Sequence, residues 1–274
     1  MTPPDAAPFT LVVVGGGNMG EALLGGMLAA GWASPDQIAV VELIAERRAV
    51  LADRYPGVTV TDVIPPCQAA LIAVKPHDVA TACALAAVGG ATRVLSIAAG
   101  ITIAELEAAA GPGVRVVRAM PNTPALVGAA ASAIAPGTTA TDDDLMWADG
   151  ILSSVGTVSV VPERLLDAVT GLIGSGPAYV MLVAEALIEG GVFVGLPRAI
   201  ARQMVTQLLV GSARLLAETG ELPEVLRANV TSPGGTTAAG LRALEDRSVR
   251  AAFIAAVSSA TERGQALGAP RVNT

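Results

Sequence analysis

One histidine, one lysine and two cysteines in 274 residues leave few groups for side-chain chemistry. With His77 alone, no second candidate exists for a Ser/His/Asp arrangement, and no metal-ligating cluster is present, so no metal is expected. His77 follows Lys75-Pro76 and reads as a surface residue at a helix start. Cys67 and Cys83 have neither the number for a disulfide framework nor the spacing of a metal site. Charged residues are scarce at 15%, aromatics at 3%, and the net charge of −7 argues against nucleic acid as a partner. Unbroken apolar runs are missing as well. The best, residues 168–184, is interrupted by Gly-Ser-Gly-Pro at 174–177, so no membrane span is expected. Residues 1–8 are Pro/Ala-rich and lack a basic-then-apolar export pattern, which makes a cytoplasmic protein the expectation. Yet 52% of the chain is hydrophobic. A soluble fold of that composition buries more than one face of its helices, in a core and against another subunit, so a homo-oligomer is expected.

What the chain does have begins at residue 10. TLVVV reads as a buried strand, Gly15, Gly17 and Gly20 follow in the spacing G-x-G-x-x-G, and an Ala/Leu/Met run of helical spacing starts near Asn18. In a dinucleotide site the first glycine permits a tight turn, the second lets a pyrophosphate reach the backbone, and the third lets helix and strand pack closely. The helix start then offers free N–H groups and the positive dipole end to the phosphates. Residues 38–42 (IAVVE) read as a second strand ending on an acid. Glu42 stands roughly 20 residues past the glycines, where a carboxylate bonds the adenosine ribose hydroxyls; the plainer alternative is a solvated strand-end residue. Such an acid repels a 2′-phosphate, which leans the cofactor toward NADH over NADPH, although Arg47 and Arg48 at the next helix start are suited to accept that phosphate.

Further strand-like runs at 58–61, 69–74, 93–98 and 114–119 alternate with helical segments. This pattern predicts an α/β fold, a Rossmann-type doubly wound parallel sheet, over residues 1–161. Ligands bind such sheets at the carboxyl ends of the strands, where Lys75, Ala99 and Asn122 fall. From residue 162 strand signals vanish, and helical lengths are punctuated by glycine and proline, with Pro177, Pro197 and Pro223 at helix starts. Residues 162–274 are therefore expected to form an all-helical domain. Hydroxyacid dehydrogenases share this two-part layout but take a general-acid lysine from the helical part. This chain has none there.

The densest signal in the helical half is VTSPGGTTAAGL at 230–241, a Ser-Pro-Gly-Gly turn opening a helix at Thr236-Thr237. Stacked N–H groups at such a start suit a carboxylate; an ordinary helix capped by Ser or Thr is the alternative.

Taken with GGGNMGEALLGG (15–26), AVKP (73–76), IAAGI (97–101), RAMPNTPALVG (118–128) and DAVTGLIGSGPAYV (167–180), this block makes the chain resemble the pyrroline-5-carboxylate reductases over nearly its whole length and in that family's order. RAMPNTPALVG, DAVTGLIGSGPAYV and VTSPGGTTAAGL are the specific blocks. The resemblance implies hydride transfer from NADPH or NADH to the imine carbon of 1-pyrroline-5-carboxylate, giving L-proline. It implies that Gly15, Gly16, Gly17, Asn18, Met19 and Gly20 hold the pyrophosphate, that Ala73, Lys75 and Ala99 line the cofactor cleft, and that Asn122 and Thr123 face the nicotinamide. Glu163 and Asn229 match positions at the cofactor edge of the site. Ser232, Gly234, Gly235, Thr236 and Thr237 match the substrate loop, with backbone N–H groups on the carboxylate and the Thr237 hydroxyl on the ring nitrogen as the catalytic contact. The family also implies dimers through the helical domain, assembled in some members into decamers. Many members lack an acid like Glu42, so cofactor choice is not inherited. Another imine or ketone reductase of the same layout, or a non-catalytic nucleotide-binding module, is the alternative reading.

Overall fold

A computed structural model describes residues 9–268; the segment from which no export was expected, residues 1–8, lies outside them. The chain divides into two compact units, one of Met1–Ser175 with Ser258–Thr274 and one of Gly176–Val257.

The first unit is built on an eight-stranded sheet in the order β3-β2-β1-β4-β5-β6-β7-β8. Its strands are β1 (Leu11–Val14), β2 (Ile38–Val41), β3 (Thr59–Thr61), β4 (Ala69–Ile72), β5 (Arg93–Ser96), β6 (Arg115–Met120), β7 (Ala130–Pro136) and β8 (Gly156–Val160). The continuous apolar runs LVVV, IAVV and AALI are buried at every position, as strands covered on both faces must be. One face is covered by α1 (Asn18–Ala29), α2 (Ala45–Arg54) and α5 (Asp142–Ser153), which contribute Leu23, Met27, Leu51 and Ile151 to the core. The other face is covered by α3 (Val79–Val88) and α4 (Ile103–Ala110) through Val79, Cys83 and Leu106. Both cysteines are buried and free, and burial pushes each thiol up to about 11.

The sheet is mostly parallel, as the sequence pattern predicts, with one reversal that the pattern does not show. Strands β1 to β6 are parallel, but β7 pairs antiparallel to β6, and β8 runs with β7. Only residues 121–129 join β6 to β7, and they hold one 3-10 turn at Thr123–Val127. A parallel return needs a crossover of a dozen residues or more, so this link forces the chain back along its neighbour.

Beyond β8 every described element is helical. A short α6 (Leu166–Val169) runs into a π-helical turn, Thr170–Gly174. The second unit then comprises α7 (Gly176–Phe193), α8 (Arg198–Thr219), α9 (Pro223–Asn229), α10 (Thr236–Glu245) and the first part of α11 (Val249–Gly268). It has almost no interior of its own. Ala201 and Val205 are its only buried hydrophobic residues, whereas Phe193 is 91% exposed, Met204 59% and Ile254 72%. The last turns of α11 belong to the first unit, where Leu267 lies against Gly100 and Gly264 against Asp167.

Candidate active site

The register of the sheet makes a cleft at one edge. Val14, Val41 and Ile72 are level in neighbouring strands, so the glycine turn, Glu42 and Ala73 leave the sheet side by side. Strand order reverses between β1 and β4, which is the switch point where open α/β sheets take their ligands. A cleft of about 1270 Å³ opens there, lined by Gly15, Gly17, Asn18, Met19, Glu42, Ala73, Lys75, Ala99 and Thr123 among others.

The three glycines differ in what surrounds them. Gly15 has φ +109°, and a β-carbon on it would lie 2.6 Å from the Ala73 carbonyl oxygen. A β-carbon on Gly20 would lie 2.0 Å from the Gly15 carbonyl oxygen. At Gly17 nothing lies within 4 Å of that position, so the wall there is bare backbone and open to a ligand. Gly17 is the N-cap of α1 and supplies no side-chain hydrogen bond, which leaves the first N–H groups of that helix to the cleft. The residues therefore fit a dinucleotide pyrophosphate.

Glu42 is the first residue past β2. Its Oε2 accepts the Gly16 N–H at 3.2 Å and its Oε1 accepts the Ile44 N–H at 2.9 Å. These bonds fix the carboxylate beside the glycine turn and leave lone pairs for a diol. Arg47 donates from Nε to the Gly16 carbonyl at 2.8 Å and pairs with Glu21; Arg48 donates to the carbonyls of Glu42 and Leu43, each at 2.9 Å. Burial raises the Glu21 carboxyl, but Arg47 and Arg54 outweigh it and hold the group below the usual carboxylate range.

Asn122 and Glu163 are placed differently from the other cleft residues. Asn122 is buried, donates from Nδ2 to the Ile173 carbonyl at 3.1 Å and accepts the Ala131 N–H on Oδ1 at 3.0 Å. Its amide clamps the 121–123 turn to the π-helical turn and to β7, and Thr123 rather than Asn122 lines the cleft. Glu163 accepts the Ile103 N–H at 2.7 Å and pairs with buried Arg118 at 3.0 Å, with Asp167 at 3.6 Å on the other guanidinium nitrogen. His77 is exposed and pairs with the neighbouring Asp78.

The second unit holds the other group of expected residues. Asn229 ends α9, the turn closes with Gly235 N–H on the Ser232 carbonyl at 3.1 Å, and Gly234 sits at φ +71°. A β-carbon on Gly235 would meet Ser232 Oγ at 2.4 Å. The N-cap of α10 is Gly235, with no side-chain cap. The start of α10 is thus not the Ser- or Thr-capped helix weighed as the alternative, and Thr237 is half-buried on its first turn.

The profile for pyrroline-5-carboxylate reductase dimerisation matches residues 163–267, and that for NADP oxidoreductases, coenzyme F420-dependent, matches residues 10–100. A pyrroline-5-carboxylate reductase of Synechocystis is 45% identical over 94% of this chain and 98% of the relative. The chain belongs to the pyrroline-5-carboxylate reductase family. The Escherichia coli relative is 36% identical over 93% of this chain and 96% of its own. The solved pyrroline-5-carboxylate reductase of Coxiella burnetii shares 32% identity at a TM-score of 0.89, over 96% of this chain and all of that one. The Plasmodium falciparum pyrroline carboxylate reductase, solved with NADP bound, shares 28% at 0.83, over 95% and 98%.

In this family member the far end of the cleft adds Asp62, Val63 and Leu85, none of which the sequence marked. Asp62 and Val63 follow the three-residue strand β3 and carry no motif. Arg118 opens the RAMPNTPALVG block but was given no role of its own until burial singled it out.

Proposed function

We propose that this protein reduces the imine of 1-pyrroline-5-carboxylate to L-proline, taking hydride from NAD(P)H and a proton from water. The reading is carried by one combination. A chain of this family keeps both a bare glycine cradle at the sheet switch point and an uncapped helix start in its SPGGTT turn. The nicotinamide cofactor, when bound, supplies the hydride. The chain's own residues do the positioning. Residues 15–20 hold the pyrophosphate, Ala73, Lys75, Ala99 and Thr123 bound the cleft, and the Asn122 amide keeps the 121–123 turn in place. The N–H groups of Gly234 to Thr237 hold the substrate carboxylate, and the Thr237 hydroxyl bonds the ring nitrogen as imine and then as amine. Glu163 and Asn229 border the site. A protonated imine is strongly electrophilic, so orientation and exclusion of water suffice without a nucleophile or strong general acid.

Glu42 favours NADH, since its charge repels a 2′-phosphate. The helical part from residue 162 on serves as substrate and dimerisation domain. Support for a dimer through it comes from the dimerisation profile over 163–267 and from the scarcity of buried residues in the second unit; a decamer is a further assembly of such dimers. One helical stretch, Glu163–Phe193, is long and apolar enough to cross a membrane by length and composition, with mean hydropathy 1.5. It lies within the dimerisation match, and a second subunit is the cover we assign to it. Cys67 and Cys83, both free, accord with a cytoplasmic site of action.

The test is direct. Purified protein is incubated with pyrroline-5-carboxylate and NADH or NADPH while cofactor absorbance is followed. Substrate-dependent loss with at least one cofactor is expected, and no turnover with either overturns the reading.

A further inference from the structure

Three charged side chains lie behind the glycine turn. Arg47, at the third position of α2, donates from Nε to the Gly16 carbonyl at 2.8 Å and pairs through Nη2 with Glu21. Glu21 stands in the first turn of α1 with its side chain only 12% exposed, and its second oxygen takes Arg54. Gly16 also donates its N–H to Glu42. A single residue thus carries Glu42 on one side of its backbone and Arg47 on the other. That puts a guanidinium one residue's width from the carboxylate assigned to the ribose hydroxyls. Arg48 is spent on the carbonyls of Glu42 and Leu43, with Asp62 at 3.6 Å.

We infer that Glu21 is a positioning residue for cofactor selection, holding Arg47 folded back behind the glycine turn and off the ribose 2′ position. The inference rests on the nucleotide reading proposed above. An arginine following the second strand is suited to grip a 2′-phosphate with its planar fork of donors. Here two of those donors are committed to Gly16 and Glu21. To swing outward, Arg47 must leave a largely buried carboxylate with Arg54 as its remaining cation, and stripping partners from buried charge is costly. Glu42 consequently faces the ribose with Arg47 turned away and Arg48 engaged by backbone carbonyls and Asp62. Glu21 selects against the phosphate without touching the cofactor.

The experiment titrates ADP-ribose and 2′-phospho-ADP-ribose calorimetrically into wild type, Glu21→Gln, Arg47→Met and the double variant. Wild type is expected to prefer the unphosphorylated ligand. Glu21→Gln is expected to tighten 2′-phospho-ADP-ribose about tenfold while ADP-ribose stays within about twofold, and adding Arg47→Met should remove that gain. Arg47→Met alone is expected to leave the ratio of the two affinities unchanged. The inference is overturned if Glu21→Gln leaves the ratio where it was, or if the gain survives loss of Arg47. It is also overturned if Arg47→Met alone weakens the phosphorylated ligand about tenfold, since Arg47 then already holds the phosphate. That last arm decides the matter even if Glu21→Gln does not fold. Wild type binding neither ligand removes the nucleotide reading itself, whereas wild type binding both with an immovable ratio removes only the role of Glu21.

Discussion

Gly17 and Gly20 are three residues apart and fail for different reasons when a methyl group is added. The β-carbon on Gly20 would strike the Gly15 carbonyl oxygen, backbone against backbone, so neither side can rotate away; on Gly17 it meets only open cleft. Gly20→Ala is therefore expected to lower both the melting temperature and the affinity for nucleotide. Gly17→Ala should melt with wild type yet lose about tenfold or more in affinity for ADP-ribose, because the methyl occupies the ligand's approach. Thermal melts beside calorimetric titration separate the two. Equal melting losses would show that both glycines serve packing alone. Thr237→Ala is expected to cut kcat/KM about 10- to 1,000-fold through loss of a positioned polar contact. Its melting temperature should hardly move, since Gly235 rather than Thr237 caps α10. A variant that melts early and turns over normally would take Thr237 out of the mechanism. The glycines and Glu42 were legible in the sequence because their roles depend on spacing within one βαβ unit. The position of Asn122 beside the cleft strand β6 was legible too. Its clamp was not, because the acceptor, Ile173, is 51 residues away.

Among the elements, α5 depends most visibly on a single acid. Asp144 accepts the Thr141 N–H and hydroxyl at 2.9 and 2.8 Å, closing a capping box, and takes Arg115 Nε at 2.9 Å on both oxygens. Burial raises its carboxyl, but the Thr141 N–H, the arginine and the hydroxyl outweigh that and hold it below the usual range. A depressed folded pKa adds stability that is complete above the unfolded value of about 3.9 and drains as pH falls from there through the folded value. Asp144→Asn is expected to cost about 1–3 kcal/mol at pH 7. The gap from wild type should close in acid below about pH 4. Denaturant titrations at pH 7 and pH 3 check both parts, and a gap that stays constant would contradict the assignment. The same region shows where element-level reading ran out. Strands β1, β2, β4, β5 and β6 announced themselves as largely apolar runs and β3 as a short strand candidate, whereas β7 is mostly alanine and β8 is only partly covered. Neither carries a period strong enough to read, and the reversal at β7 is dictated by the shortness of a link whose far end the sequence did not mark.

At the scale of the whole molecule, excess hydrophobicity in the composition became a definite place, the faces of α7, α8 and α11. In the dimer proposed above, helices that bury almost nothing within their own chain would take their stability from a second copy. Light scattering at micromolar concentration should show at least a dimer, with an interface burying more than about 2,000 Å². The melting temperature should rise with protein concentration, as mass action requires of a fold completed by association. A fully active monomer with a concentration-independent melt would contradict this. The switch in periodicity near residue 162 was legible, while the return of α11 to the first unit was not. A contact such as that of Leu267 with Gly100 links residues far apart in the chain and leaves no local pattern.

That return has a consequence for synthesis. Domains ordinarily fold in order as the chain emerges from the ribosome, the N-terminal one first. Here the first unit lacks residues 258–268 until the whole second unit has been synthesised, so the helices of the second unit leave the exit tunnel before the first is whole. While the chain is still tethered, Gly100 and Asp167 have no α11 against them. The first unit of the nascent chain thus stays incomplete until the last turns of α11 are released.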